Sequence, residues 1–191
     1  YGPNDGLHEI GFIGTDKTAA YYEYSTGGFT VGLGVGQVWD VDGTPVTVGG
    51  TPTRNTANIA VKYAMGDYTF AVGYETADEI DAVVGDDVVE QLSASASAKF
   101  GAITLKARVS DQEFDDATSA TPWSVSADYT TGALTVTGFF TDYDTGTEHV
   151  GLGAAYDLGG GAAVKGGIVQ QMNPVGTPDE TFADVGVTFS F

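Results

Sequence analysis

Seven basic side chains carry all the fixed positive charge of this 191-residue chain: Lys17, Arg54, Lys62, Lys99, Lys106, Arg108 and Lys165. Three of them flank one tight turn, with Lys99 before Gly101 and Lys106 and Arg108 after it. Successive side chains of a strand point to opposite faces. A hairpin turning at Gly101 therefore sets Lys99, Lys106 and Arg108 close together on one wall. The parity of their own strands puts Lys62 and Lys165 on the polar face as well. Fixed charges on a wetted wall tune the passage of ions.

No catalytic set emerges. His8 and His149 are far apart in sequence and lack a local motif. There is no Gly-x-Ser-x-Gly elbow, no phosphate loop and no zinc pattern. Gly159, Gly160 and Gly161 read as a hairpin turn, because no helix follows to hold a nucleotide. The 26 acidic residues crowd the stretches between apolar segments, for example Asp78, Glu79, Asp81, Asp86, Asp87 and Glu90, then Asp111, Glu113, Asp115 and Asp116. Carboxylates at that density suit calcium, with Asp86, Asp87, Asp115 and Asp116 as the candidate ligands. Their spacing matches no calcium-loop pattern, so solvated loops are the plainer reading, and no cofactor is required.

The elements that must position these residues are strands. In 180–191, ETFADVGVTFSF, every second residue is apolar: Ala183, Val185, Val187, Phe189 and Phe191. The same alternation recurs along the chain and predicts eleven strands, at 18–25, 29–37, 57–65, 68–77, 91–100, 103–111, 122–130, 133–142, 148–157, 162–170 and 181–191. Tight turns fall at Gly27-Gly28, Gly66-Asp67, Gly101-Ala102, Thr131-Gly132 and Gly159–Gly161. Longer polar connections separate these hairpins, at 38–56, 78–90, 112–121, 143–147 and 171–180. Short and long connections thus alternate, as in barrels with short turns at one end and long loops at the other.

Parity also assigns the faces. One carries Ile59, Val61, Phe70, Val72, Leu105 and Val125, with aromatics at the row ends: Tyr68, Tyr74, Phe100, Trp123 and Tyr129. The other carries Ser, Thr, Gly, Lys, Arg and Asp, as in Ser93, Ser95, Ser97, Lys99 and in Ser124, Ser126, Asp128. A soluble barrel fills its interior with apolar side chains. A face this polar wants water, so the apolar face is expected to meet lipid. Gly32, Gly34, Gly36, Gly151 and Gly153 fall on the polar face, leaving room for a folded-in loop or permitting strand bending. No run of roughly 18 apolar residues exists, so no transmembrane helix is possible, while a barrel strand needs only about 9–11 residues. The net charge of −19 excludes a nucleic-acid partner, which needs a basic face. The absence of cysteine excludes disulfides and thiolate metal sites. The chain starts at Tyr1 with no leader segment, and that start reads as processed or truncated.

Two stretches at the end of the chain, HVGLGAAYDLGGGAAVKGGI (149–168) and FADVGVTFSF (182–191), closely resemble the end of alpha-proteobacterial general diffusion porins. KFGAITLKA (99–107) and VGYE (72–75) resemble internal hairpins of that family, and YEYSTGGF (22–29) resembles the hairpin after its constriction loop. The resemblance runs from about Glu9 onward. It implies an all-β antiparallel transmembrane barrel of about sixteen strands, of which about eleven are present here. About five strands would be missing before Tyr1, since barrels of this kind have even strand numbers. Residues 1–17 would be the distal part of the loop that folds into the lumen, EIGFIGTD (9–16) being the best match. Residues 18–191 would be barrel strands.

The resemblance further implies a bacterial outer-membrane porin without enzymatic activity. It would pass ions and small hydrophilic solutes by passive diffusion, as a homotrimer among outer-membrane lipid and lipopolysaccharide. The channel lining would include Lys62, Lys99, Lys106, Arg108 and Lys165, facing Asp5, Glu9 and Asp16 on the loop. With acids outnumbering bases 26 to 7, weak cation selectivity is expected. The competing reading is a soluble, secreted, acidic β-sandwich that binds a carbohydrate or a surface.

Overall fold

The structure, a computed structural model, describes residues 17–39, 53–78 and 88–190. They form twelve strands: β1 (Lys17–Thr26), β2 (Phe29–Trp39), β3 (Thr53–Met65), β4 (Tyr68–Ala77), β5 (Val88–Phe100), β6 (Ile103–Phe114), β7 (Ser119–Ala120), β8 (Trp123–Thr131), β9 (Leu134–Asp142), β10 (Glu148–Gly159), β11 (Ala162–Met172) and β12 (Glu180–Phe189). No helix occurs among the described residues. Each of the eleven expected segments coincides with a strand, the last as far as Phe189, and Phe191 lies outside the described residues. The strand order is β1-β2-β3-β4-β5-β6-β8-β9-β10-β11-β12, with β7 paired to β6 alone.

Three strands run three or four residues further than their hydropathy suggests. β3 starts at Thr53, β5 starts at Val88 and β6 continues to Phe114. The extra residues still pair in register, as Thr53 does with Trp39 and Thr56 with Gly36 and Ala77. Alternation is imposed only where one face must be apolar, whereas the hydrogen-bond ladder continues into polar sequence. The two-residue β7 arises in the same way. The chain reverses at Phe114–Thr118 and pairs Ser119 and Ala120 with Glu113 and Gln112.

Four tight turns share one solution. Each has two loop residues with glycine first, at Gly27, Gly66, Gly101 and Gly132, and each of these glycines has φ near +60° (56, 59, 62 and 58). Their second residues, Gly28, Asp67, Ala102 and Ala133, do not have positive φ. That is the type II′ pattern, whose twist matches the strands it joins. In three of these hairpins the carbonyl after the glycine then accepts from the next hairpin: Gly28 from Ala64 N, Ala102 from Thr130 N and Ala133 from Asp157 N. These turns therefore also fix the register with the following strand.

The described residues divide into two compact units. The first holds 17–39, 53–78, 88–94 and 110–121, and the second holds 95–109 and 122–190. In both, burial runs opposite to that of a soluble protein. In the first, Ile59, Val61, Phe70, Val72 and Leu92 are exposed, while Thr56, Glu75, Gln91 and Ser110 are buried. In the second, Leu105, Val125, Leu152 and Val187 are exposed, while Ser124, Ser126, Asp128, Thr137 and Thr141 are buried. An apolar surface this continuous marks a membrane-facing sheet. The competing soluble-sandwich reading has no support, because its core would have to be the face that is exposed.

Aromatic rings edge the apolar rows beside the tight turns: Phe29, Tyr63 and Tyr68 in the first unit, Phe100, Tyr129 and Tyr156 in the second. Phe29 and Tyr63 lie 4.3 Å apart between ring centroids. Trp123 and Phe140 form a second pair, at 5.3 Å, near the opposite ends of their strands. Aromatic rings at both ends of an apolar band suit the two interfaces of a bilayer.

Candidate functional site

Among the described residues, Lys62, Lys99, Lys106, Arg108 and Lys165 share the parity of the polar face. In the second unit, Lys106 and Arg108 alternate with Leu105, Ala107 and Val109 along β6. Opposite them on β8 stand Ser126 and Ser124, in register. Lys106 leans diagonally to Asp128, with Nζ 2.9 Å from Oδ2. The other carboxylate oxygen of Asp128 accepts from Thr137 Oγ1 at 2.6 Å, directly across on β9. Asp128 is thus held from both sides and nearly buried, and Lys106 keeps only 22% of its side-chain exposure. Arg108 is half-buried and has partners of its own. Lys99 shares the parity of Ser95 and Ser97 on β5 and is exposed. Lys165 shares the parity of Gly167 and Val169 on β11 and is exposed.

In the first unit Lys62 lies on the polar face of β3 beyond Asn58, between Thr30 and Ala71 in register. A hydrogen-bonded row crosses β5 and β6 there. Gln112 Nε2 donates to Gln91 Oε1 at 2.6 Å, Gln91 Nε2 donates to Ser93 Oγ at 3.1 Å, and Ser93 and Ser110 share a 2.7 Å bond. Burying these groups is tolerable because each is paired within the wall.

At the long-connection end of the second unit, His149 joins two turns to the sheet. Gln171 Nε2 donates to Asn173 Oδ1 at 2.8 Å, which turns Gln171 Oε1 toward His149 Nε2, 3.0 Å away. His149 Nε2 then carries the proton, and Nδ1 faces the Tyr143 hydroxyl at 3.5 Å. Asn173 in turn donates from Nδ2 to the Pro178 carbonyl and from its backbone to Asp179. This is a structural brace, with no nucleophile or acid–base pair in it.

The glycines of the polar face have a definite use. The Tyr21 ring from β1 lies over Gly32, where a Cβ would collide with its hydroxyl and ring carbons. The Asn58 amide from β3 lies over Gly34, within 2.6 Å of where a Cβ would be. Phe139 covers Gly151 in the same manner. At these three positions a neighbouring strand's side chain occupies the space that the missing Cβ leaves.

Asp5, Glu9 and Asp16 lie outside the described residues, as do Asp86 and Asp87. Among the described residues no group of three or more His, Asp and Glu side chains is placed to hold a metal ion. Asp116 turns its carboxylate inward on its own loop, where Oδ1 accepts from Thr118 N at 2.9 Å and Thr118 Oγ1 at 2.5 Å. These bonds hold its carboxyl below the ordinary carboxylate range. Sequence reasoning named the cations of this wall but passed over Asp128. Its signal was an acid on the polar parity of β8, with Ser124, Ser126 and Thr130 as the other polar-face residues of that strand.

Comparison with known proteins agrees with this geometry. The Gram-negative porin family matches residues 2–175. A porin of Rhodobacter capsulatus is 36% identical over 92% of this chain, which spans 62% of that relative's length. A solved porin structure superposes with a TM-score of 0.69 at 34% identity, covering 92% of this chain and 62% of its own. A loop-deletion mutant of OmpT, an outer membrane protein of Vibrio cholerae, shares the fold at 15% identity, with a TM-score of 0.66 and coverage of 90% and 62%. Apolar rows outward, a polar wall opposite and this family match together show that the chain belongs to the Gram-negative porin family, as an antiparallel β-barrel protein of the bacterial outer membrane.

Proposed function

We propose that this chain supplies part of the wall of a water-filled channel that passes ions and small hydrophilic solutes by diffusion, with a weak preference for cations. The observation that carries the reading is the inverted burial of the sheet. Its apolar rows are exposed where lipid can cover them, and its hydroxyls, amides and charges line the other face. A membrane-spanning sheet with a polar inner face encloses water or a plug.

In this reading Lys62, Lys99, Lys106, Arg108 and Lys165 line the water path. Lys17 already belongs to β1, so the distal part of a loop folded into the lumen is residues 1–16, with Asp5, Glu9 and Asp16 opposite the basic wall. Opposed charges across a constriction would set a transverse field there. The excess of acids, 26 against 7 bases, supports a net attraction for cations. The family supports a homotrimer set in outer-membrane lipid with lipopolysaccharide around it.

The test uses the intact native polypeptide, extracted in detergent and added to planar bilayers. Steady, ohmic steps that scale with salt concentration are expected, together with liposome swelling in small sugars. A protein that inserts but conducts nothing would overturn the reading.

A further inference from the structure

On the polar face of the first unit a cleft of about 330 Å³ opens between β1, β3, β4 and β5, lined by Tyr21, Asn58, Gly73, Glu75, Gln91 and Ser93 among others. We propose that this cleft is a binding subsite for a single sugar ring in the wall of the channel. The proposal rests on the channel reading for its access to solute.

The cleft is constructed from the strands upward. Gly32 and Gly34 on β2 present no side chain, so Tyr21 from β1 and Asn58 from β3 lie down over them from either side. The hydroxyl end of Tyr21 thereby lies over Gly32, and 63% of the residue stays exposed. Its hydroxyl donates to Glu23 Oε2 at 3.2 Å, which restrains the ring in its plane. Gly73 keeps β4 low beside the cleft, where a Cβ would find its nearest neighbour at 3.5 Å.

Polar groups close the other side. Glu75 and Gln91 are buried, at 6% and 3% exposure, and Ser93 is half-buried. The Gln112–Gln91–Ser93–Ser110 row fixes the orientation of Gln91 and Ser93 before any solute arrives. Asn58 has no hydrogen-bond partner among the described residues, so its amide offers two donors and an acceptor.

An exposed aromatic ring beside the Asn58 amide, on a polar rim held in place by its own hydrogen bonds, matches one class of solute. A pyranose presents axial C–H groups on a face and hydroxyls around its edge. The C–H groups suit the electron-rich face of Tyr21, and the hydroxyls suit groups that both donate and accept. The volume lies at the small end of the ~300–1,000 Å³ typical of ligand sites. An organic cation fits less well. The groups around the cleft are mostly neutral, and the one buried carboxylate, Glu75, is already engaged.

The test is glucose block of the intact native polypeptide in planar bilayers. Conductance in potassium chloride is measured first, so that failure of the channel reading shows itself separately. Glucose should then reduce the current saturably and add fluctuation noise. Tyr21→Ala should raise the half-blocking concentration by about tenfold. Tyr21→Phe, which keeps the ring face, should stay close to the native value. Tyr22→Ala, on the apolar face, serves as the control for insertion. A normal conductance with no saturable glucose effect would overturn the subsite and leave the channel standing. Block by ethylammonium but not by glucose would also overturn it, making the cleft a cation site. If no current flows at all, glucose titration of the detergent-solubilised protein by isothermal calorimetry still decides the question: saturable heat lost in Tyr21→Ala upholds the subsite, and no heat overturns it.

Discussion

Lys106 Nζ lies 2.9 Å from Asp128 Oδ2, across the β6–β8 ladder and two residues off register. Lys106 of the basic wall is therefore half of an ion pair. Asp128 is held a second time by Thr137, so the carboxylate is fixed and the lysine comes to it. Removing one partner leaves the other charge in a wall where neither is freely hydrated. Asp128→Asn should destabilise the protein by about 1–3 kcal/mol, less than the ~3–5 for a fully buried pair, because Lys106 keeps 22% exposure. A double-mutant cycle with Lys106→Met, read by urea unfolding in lipid vesicles, would measure the coupling. Additive single effects would mean that the pair contributes nothing.

The same pair has a consequence for selectivity. Asp128→Asn releases a positive charge into the water path and should move the reversal potential toward anions. Lys106→Ala with Arg108→Ala deletes local positive charge, leaves Asp128 in place and should strengthen cation preference. Reversal potentials under a salt gradient measure both shifts. Screening falls from about 10 Å at 0.1 M to 3 Å at 1 M, so the overall cation preference should fade as salt rises. Anion preference at low salt would show that other charges control the path.

Most of the fold was legible because the solvent inverts the usual rule without erasing it. Val61, Val72 and Leu105 repeat every second residue, whichever solvent they meet, so parity located every main strand. What broke the pattern was the end of the apolar band. Thr53 to Thr56 and Val88 to Glu90 carry no alternation, yet they pair. The site was legible only in outline. Parity placed Lys106 and Arg108 on the polar face, but a one-dimensional pattern holds no diagonal contacts, and the Lys106–Asp128 pair is diagonal. Tyr21 was unreadable for a related reason. Its role depends on Gly32 of a neighbouring strand, which has no local signature.

Val72 sits mid-strand on the apolar face with 54% exposure. A surface position in a water-soluble protein would accept arginine at almost no cost. In lipid, Val72→Arg should cost roughly 2–4 kcal/mol near the bilayer midplane. Urea titration of folding into vesicles would report it, with Thr76→Arg, nearer the strand end, costing less. Equal tolerance at both positions would refute lipid contact at Val72.

Asp116 supplies a pH dependence with a definite sign. Its carboxyl is depressed by hydrogen bonds from Thr118. A depressed carboxyl stabilises its turn fully above the ordinary carboxylate range, and that support is lost as pH falls through the lowered folded value. The 114–118 turn should therefore stay ordered through mildly acidic conditions and loosen only below them. A carboxyl-labelled NMR titration in detergent micelles should show Asp116 titrating below the ordinary aspartate range. Thr118→Val removes the hydroxyl donor and should raise that midpoint.

Gly101 and Gly186 separate backbone conformation from space. A Cβ on either would meet nothing within 4 Å. Gly101, however, has φ of +62, whereas Gly186 lies in β12 with no positive φ. Alanine at Gly101 must adopt a left-handed conformation that costs an L-residue roughly 1–2 kcal/mol. Alanine at Gly186 meets no such strain and loses less chain entropy on folding, so it should be neutral or stabilising by roughly 0.5–1 kcal/mol. The two variants carry the same atoms into equally open space, so opposite signs in a urea titration isolate the turn geometry. Equal effects would mean that the Gly101 turn relaxes into another type. The register of β5 against β6, and the face on which Lys99 stands relative to Lys106, would then be less firmly set than the positive φ implies.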